Sequence, residues 1–461
     1  MKRRNKLLAL TGVLAAVCIA IGCVLGIEQK KEDIRAEEAV ILSLSVEDID
    51  AISWDTGGEG LSLHRDGESW FWDEDEAFPV SRDEMETLLG KFETISSAFI
   101  IENVDDPGQY GLDDPETTIT VTAGDAVYTI ALGDYSAMDQ QRYIDIGDGK
   151  VYLAQEDPAD YVNVAISDLI AHDDTPTFPT VETIVLAGAE NDTIVYDADA
   201  AALDEADNYF VRRGNELQVL DADYVTELLN AISLLDLTDY VSYTADEDTL
   251  AACGLTDPAL SITVNYLDSE ETAQSFVLHI GLDAEDVAAA AEAEEGETVN
   301  IEKYVRVGDS SIIYALDDAD YEELTACGYD QLRHRELFWG DFAAVTAMDV
   351  TLEGEKHTFT ANGEGDDRVW YWNETEVDVA DIQSALTTLS ADSFTDESGG
   401  KQEITVTLYL DNTDFPQTEI VLYRHNGTLC VAEVDGEVVS LVSRSTVLQL
   451  VQAVQAITLN G

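Results

Sequence analysis

The sequence predicts an α+β protein of three tandem related units behind an N-terminal transmembrane helix. Each unit is expected to hold a β-strand pair, one amphipathic helix and an antiparallel β-meander. Three observations lead there. The stretch QYGLDDP at residues 109–115 returns as ACGLTDP at 252–258. The alternating run Thr118-Ile119-Thr120-Val121 is answered by Ser261-Ile262-Thr263-Val264 and again by Glu403-Ile404-Thr405-Val406. An uncharged apolar segment, LLALTGVLAAVCIAIGCVLGI, fills residues 7–27. Self-similarity of this kind marks a chain that uses one supersecondary design several times.

Taken in chain order, Lys2, Arg3, Arg4 and Lys6 make residues 1–6 a basic tail. Residues 7–27 are long enough to span a bilayer as a helix. Positive charge on the N-terminal side places that end in the cytoplasm and the bulk of the chain outside it, at the cell membrane. Two alternatives stay open. A cleaved signal peptide has a similar apolar core, and Ala20-Ile21-Gly22-Cys23 resembles a bacterial lipobox, which would anchor a lipoprotein at Cys23. Residues 28–42 are charged and read as a stalk. The units are expected at 43–174, 180–338 and 341–461, with the last one divergent; TPTFPT at 175–180 breaks the pattern between the first two.

Within the units the markers keep one order. Trp70-Phe71-Trp72 opens the first, Tyr209-Phe210-Val211 the second and Trp370-Tyr371-Trp372 the third. A helix follows each. Met85, Leu88, Leu89, Phe92 and Ile95 form a helical stripe, and Ser81 with Glu84 reads as a capping box. Tyr224, Leu228, Leu229, Ile232 and Leu235 repeat the stripe behind Asp221, as do Val379, Ile382, Leu386 and Leu389 behind Asp378. Alternating runs then supply the meander, because a half-buried strand has a period of two. The second unit carries an acidic, Ala-rich insertion, DAEDVAAAAEAEEGE, suited to a surface excursion with a short helix. The third lacks Gly-Leu-x-Asp-Pro altogether.

That motif reads as a corner. Gly111 and Gly254 permit a positive φ, and Asp114 and Asp257 can bond the local backbone in a turn. Pro115 and Pro258 bias the chain towards the extended strand that follows. A duplicated corner explains the repeat without any catalysis.

Composition narrows the function. There are 95 acidic residues against 23 basic ones, a net charge of −72, and such a surface repels phosphate backbones. No nucleic-acid partner is expected. The cysteines Cys253, Cys327 and Cys430 have neither a disulfide framework nor metal spacing. The six histidines show no i, i+4 pair, and no phosphate-cradling loop, nucleophile elbow or dinucleotide fingerprint occurs. Carboxylate pairs are too abundant to single one out. The sequence therefore nominates no catalytic, cofactor-binding or metal-ligating residue and predicts no enzyme. The best ligand candidates are the Trp-x-Trp strands, whose Trp70 and Trp72, like Trp370 and Trp372, fall on one face. Exposed, each pair is a platform for a sugar ring or an apolar ligand; buried, it fills the space between sheet and helix.

The combination of an aromatic strand pair, a helix and Tyr110-Gly111-Leu112-Asp113-Asp114-Pro115 before a meander resembles domain-of-unknown-function family 4340. In the second copy Cys253 replaces the Tyr before Gly254-Leu255-Thr256-Asp257-Pro258, and Leu332-Arg333-His334-Arg335-Glu336-Leu337-Phe338 is similar to that family's basic closing segment. The resemblance implies an N-terminally anchored envelope protein without assigned activity, in some cases beside ABC-type transporters related to gliding-motility systems. The expected function is accordingly a non-enzymatic, membrane-tethered protein that works through protein–protein contacts, with a membrane-embedded partner such as transporter subunits. The alternative is an envelope module that binds cell-wall glycan or a cation.

Overall fold

A computed structural model describes residues 39–56, 60–102, 104–213, 216–294, 297–363 and 368–459. Contacts divide the chain into two compact units, residues 1–172 and 173–461. The first holds one sheet and the second holds two.

Each sheet has nine antiparallel strands, and strand content (42%) exceeds helix content (22%) among the described residues. The fold is therefore mostly β, which corrects the α+β expectation. The reason lies in how the predicted pieces join. In the first sheet the opening hairpin (Ile49–Asp55, Gly60–Asp66, Ser69–Trp72) does not stand apart from the meander (Thr117–Ala123, Ala126–Ser136, Gln141–Asp145, Val151–Ala154). Ile49–Asp55 pairs directly with Thr117–Ala123, with Ile52 opposite Val121 and Trp54 opposite Ile119. The segment after the helix, Thr94–Ile101, returns as a strand beside Val151–Ala154, and Ala39–Ser43 closes that edge. Residues 39–42 thus belong to the sheet, although the charge pattern places them in a stalk.

The other sheets repeat this plan. Thr180–Gly188 pairs with Leu260–Leu267, Ile184 opposite Val264, and Val345–Leu352 pairs with Gln402–Leu410, Val350 opposite Val406. Thr-Ile-Thr-Val and its two echoes are hence the same central strand three times. Ile119, Val121, Ile262, Val264, Ile404 and Val406 are all fully buried. Each such side chain contributes about 1.5–3 kcal/mol by leaving water, which is why this tetrapeptide pattern persists while the loops diverge. The strand before it shows a register shift in all three copies, at Ile49/Ala51, Val181/Thr183 and Val345/Ala347.

Helices cover one face. Arg82–Gly90 is capped by Ser81, whose hydroxyl accepts from the Glu84 N–H at 3.2 Å, and buries Met85, Leu88 and Leu89. Ala222–Ser233 buries Val225, Leu228, Leu229 and Ile232, so Val225 takes the core place that the stripe assigns to Tyr224. Ala380–Thr387 buries Ile382, Ala385 and Leu386. The acidic insertion does form a helix, Ala284–Glu292. A C-terminal helix, Arg444–Thr458, adds Val447, Leu450 and Val454 to the core of the third sheet.

The expectation of a single-pass transmembrane helix is not supported either. Among the described residues no helix is long and apolar enough to cross a membrane. The longest, Arg444–Thr458, has 15 residues. That is roughly 22 Å of helix, short of the ~30 Å hydrocarbon core, and Gln449, Gln452 and Gln455 interrupt its apolar surface. The segment 7–27, the tail 1–6 and Cys23 lie outside the described residues.

Candidate functional site

The corner motif is a close approach of two chain segments. Gly111 has φ +71° and Gly254 φ +65°. The turn is held by backbone bonds: Gly254 N–H donates to Ala251 O at 3.2 Å and Leu255 N–H to Leu250 O at 2.8 Å. The first copy does the same from Gly111 to Gly108 and from Leu112 to Pro107. Asp114 and Asp257 are exposed at the turn, and Pro115 and Pro258 are half-buried at the entry to the strand. A second glycine, invisible to the motif search, completes the geometry. A Cβ on Gly133 or Gly281 would stand 2.2 Å from the carbonyl oxygen of Tyr110 or Cys253. The motif therefore positions strands; at its second copy the buried Cys253 packs with Tyr304, whose hydroxyl meets Asp283 at 3.3 Å, and burial raises that thiol rather than activating it.

The tryptophan strands turn inward. Trp70 is 6% and Trp370 8% exposed, and Trp72 and Trp372 are half-buried against the same cores. Trp72 meets Phe78 edge-on at 5.7 Å, and Trp372 tilts against His357 at 6.0 Å. Trp70 and Trp370 each help to line an open cavity, of about 670 and 740 Å³ respectively. The three thiols are buried and free. Burial pushes Cys327 up to about 12 and Cys430 up to about 11, so neither is poised as a nucleophile.

The groups that do converge lie on the closing segment of the second sheet, residues 332–340. Its backbone is clamped at both ends. Asp221 N–H donates to Leu332 O at 2.9 Å, while Leu337 N–H donates to Leu389 O and Ala391 N–H to Arg335 O. Between these clamps, His334 Nε2 meets Asp207 Oδ2 at 2.8 Å, and Asp207 is 5% exposed. His334 Nδ1 faces Asp221 Oδ2 at 3.3 Å, and its ring stacks on Trp339 with centroids 4.7 Å apart and planes 7° from parallel. Asp221 has a second duty: its other oxygen caps the helix Ala222–Ser233 through the Asp223 N–H. Arg333 Cζ lies 3.5 Å from the centroid of Phe394 and 4.8 Å from that of Tyr329.

A cavity of about 370 Å³ opens beside this segment, lined by Arg333, Trp339, Phe394 and Ser440 among others. Among its lining residues, Arg333, Trp339 and Ser440 each carry a buried polar atom (Nε, Nε1 and Oγ) without a hydrogen-bond partner among the described residues.

Residues 70–258 match the model of the family described as Domain of unknown function (DUF4340). The DUF4340 match opens at Trp70 and ends at Pro258, so it contains the first corner entirely and closes on the proline of the second. It assigns no activity. No curated protein and no solved structure matches the chain. Asp221 lies inside the DUF4340 segment, whereas His334 and the rest of residues 332–340 lie beyond it.

Proposed function

We propose that the protein is a non-enzymatic scaffold that works by contact with partner proteins through the outer faces of its sheets. The observation that carries this reading is the threefold repetition of one exposed surface. Along each central strand the buried residues alternate with half-exposed ones: Thr118, Thr120 and Thr122; Ser261, Thr263 and Asn265; Thr405, Thr407 and Tyr409. Helices cover the other face. An antiparallel, hydroxyl-rich sheet face with the helices on its other side suits recognition of another protein. The first sheet adds Phe99 and Tyr135, each 49% exposed, and the turn after Ala126–Ser136 adds Met138, 91% exposed. The family resemblance makes subunits of an ABC-type transporter the first candidates. Affinity capture with the full chain from detergent-solubilised membranes of its host tests this. The expected result is reproducible recovery of one set of membrane subunits; repeated recovery of none contradicts the reading.

A second reading rests on the cavity beside residues 332–340. Arg333, Trp339, Phe394 and Ser440 give it mixed polar and aromatic walls, in keeping with a ligand-binding module. Saturable binding that Ser440→Ala weakens at least threefold supports it, and binding indifferent to Ser440 argues against it.

A further inference from the structure

We infer that Asp221, His334 and Glu336 form a binding site for a divalent transition-metal ion. One imidazole nitrogen and two carboxylate oxygens from these residues lie within 4.8 Å of one another. Two donors held about 2.1 Å from a tetrahedral ion stand roughly 3.4 Å apart, and His334 Nδ1 lies 3.3 Å from Asp221 Oδ2.

The orientation of the imidazole is the stronger argument. Nε2 is taken by Asp207 Oδ2 at 2.8 Å, which leaves Nδ1 as the ring nitrogen that faces Asp221. Nδ1 makes no hydrogen bond among the described residues; it approaches Asp221 only as an ion-pair contact. The two atoms are thus close without being hydrogen-bonded, at the spacing of two donors that share one ion. A buried carboxylate on the remote nitrogen is also the usual means of fixing a ligand histidine and raising its basicity. Stacking on Trp339 holds the ring plane.

The fold does not need this cluster. In the first sheet the same clamp exists, with Ser81 N–H donating to Leu169 O at 2.7 Å where Asp221 N–H donates to Leu332 O. There Ser81 stands in place of Asp221, and Ala171 in place of His334. One copy thus closes its sheet with no titratable group at either position, while the other gathers three carboxylates around one imidazole.

The donor set indicates which ion. Imidazole favours zinc, cobalt and nickel, carboxylates favour manganese, calcium and magnesium, and one nitrogen with two oxygens selects a borderline ion such as Zn²⁺. With three protein ligands a coordination position stays open to water. The ion would also act as a clip. Asp221 opens the helix Ala222–Ser233, and Glu336 bridges to Ser390 of the third sheet's segment.

The test is titration of the full chain with Zn²⁺ in 0.15 M NaCl and excess Ca²⁺ and Mg²⁺, which occupy the many surface carboxylates. Calorimetry should find one equivalent that outcompetes these ions, with a raised unfolding temperature. Co²⁺ substitution should give visible absorption bands of a low-coordinate nitrogen–oxygen site. Glu336→Gln, a partly exposed change, should weaken binding at least tenfold, and Asp207→Asn should weaken it about tenfold or more through the imidazole. Absence of a stoichiometric site overturns the proposal. So does a site whose affinity is unchanged in folded Glu336→Gln and His334→Gln, since that is adventitious binding to surface carboxylates.

Discussion

A methyl group added at Gly254 would stand 2.2 Å from the carbonyl oxygen of Leu282, and one at Gly111 2.8 Å from the backbone nitrogen of Asp134. Both glycines also have positive φ. Gly67 has a positive φ too, yet nothing lies within 4 Å of its missing Cβ. Three alanine substitutions therefore separate two costs. Gly67→Ala should lose about 1 kcal/mol, the dihedral cost alone, whereas Gly111→Ala and Gly254→Ala should lose roughly 2–4 kcal/mol as the backbone shifts. Denaturant midpoints measure the difference; equal losses at all three would remove the close approach from the account. Asp349 provides a second residue-scale case. Burial raises its carboxyl, but hydrogen bonds from Lys356 (2.8 Å), Thr358 (2.6 Å) and Tyr409 (2.8 Å) together hold it below its ordinary value. A depressed acid stabilises the fold above the unfolded value of about 3.9, and that contribution fades as pH falls through the folded value. Asp349→Asn should thus cost about 1–3 kcal/mol at pH 7 and show a shallower loss of stability below about pH 4. Melting curves across pH 2–7 check both parts.

At the scale of elements, the helices are legible because their apolar spacing and caps are local. Ser81 and Glu84 sit three residues apart, and half of the expected capping box forms: Ser81 Oγ accepts from Glu84 N–H, while Ser81 N–H donates to Leu169 O and not to the Glu84 side chain. Ser81→Ala should cost about 1 kcal/mol and raise hydrogen exchange in the first turn of Arg82–Gly90 before anything else; uniform acceleration across the sheet would place the cap's role elsewhere. The strand Thr94–Ile101 is harder to read, since Ile95 extends the helical stripe and only its partner Val151–Ala154 reveals it as a strand. The C-terminal helix has a plain helical period, but it escapes a unit formula built on repeated motifs, because no motif repeats there. Class itself fails for a related reason. A strand pair and a meander look like separate pieces until Ile52 meets Val121, and that pairing is long-range. The candidate site is less legible still. His334 and Asp207 are 127 positions apart, so spacing rules written for metal ligands on one helix cannot find them. The only sequence signal was the basic run around His334.

Across the whole molecule, one sheet plan is used three times, with variation concentrated at its ends: the insertion at Ala284–Glu292, the final helix, and the clustered carboxylates at residues 207, 221 and 336. What repeats is a covered face and an open one, and the net charge of −72 keeps the open faces from associating with one another without a partner. The claim that these faces are contact surfaces is tested most directly by site-specific photo-crosslinking in the native host. A benzophenone side chain placed at Thr120, Thr263 or Thr405 samples the outer faces, and one at Glu68 on a hairpin turn is the control. The account predicts discrete adducts of one partner protein from outer-face positions and none from Glu68. No adduct from any of the three, in a chain that remains folded, would contradict it.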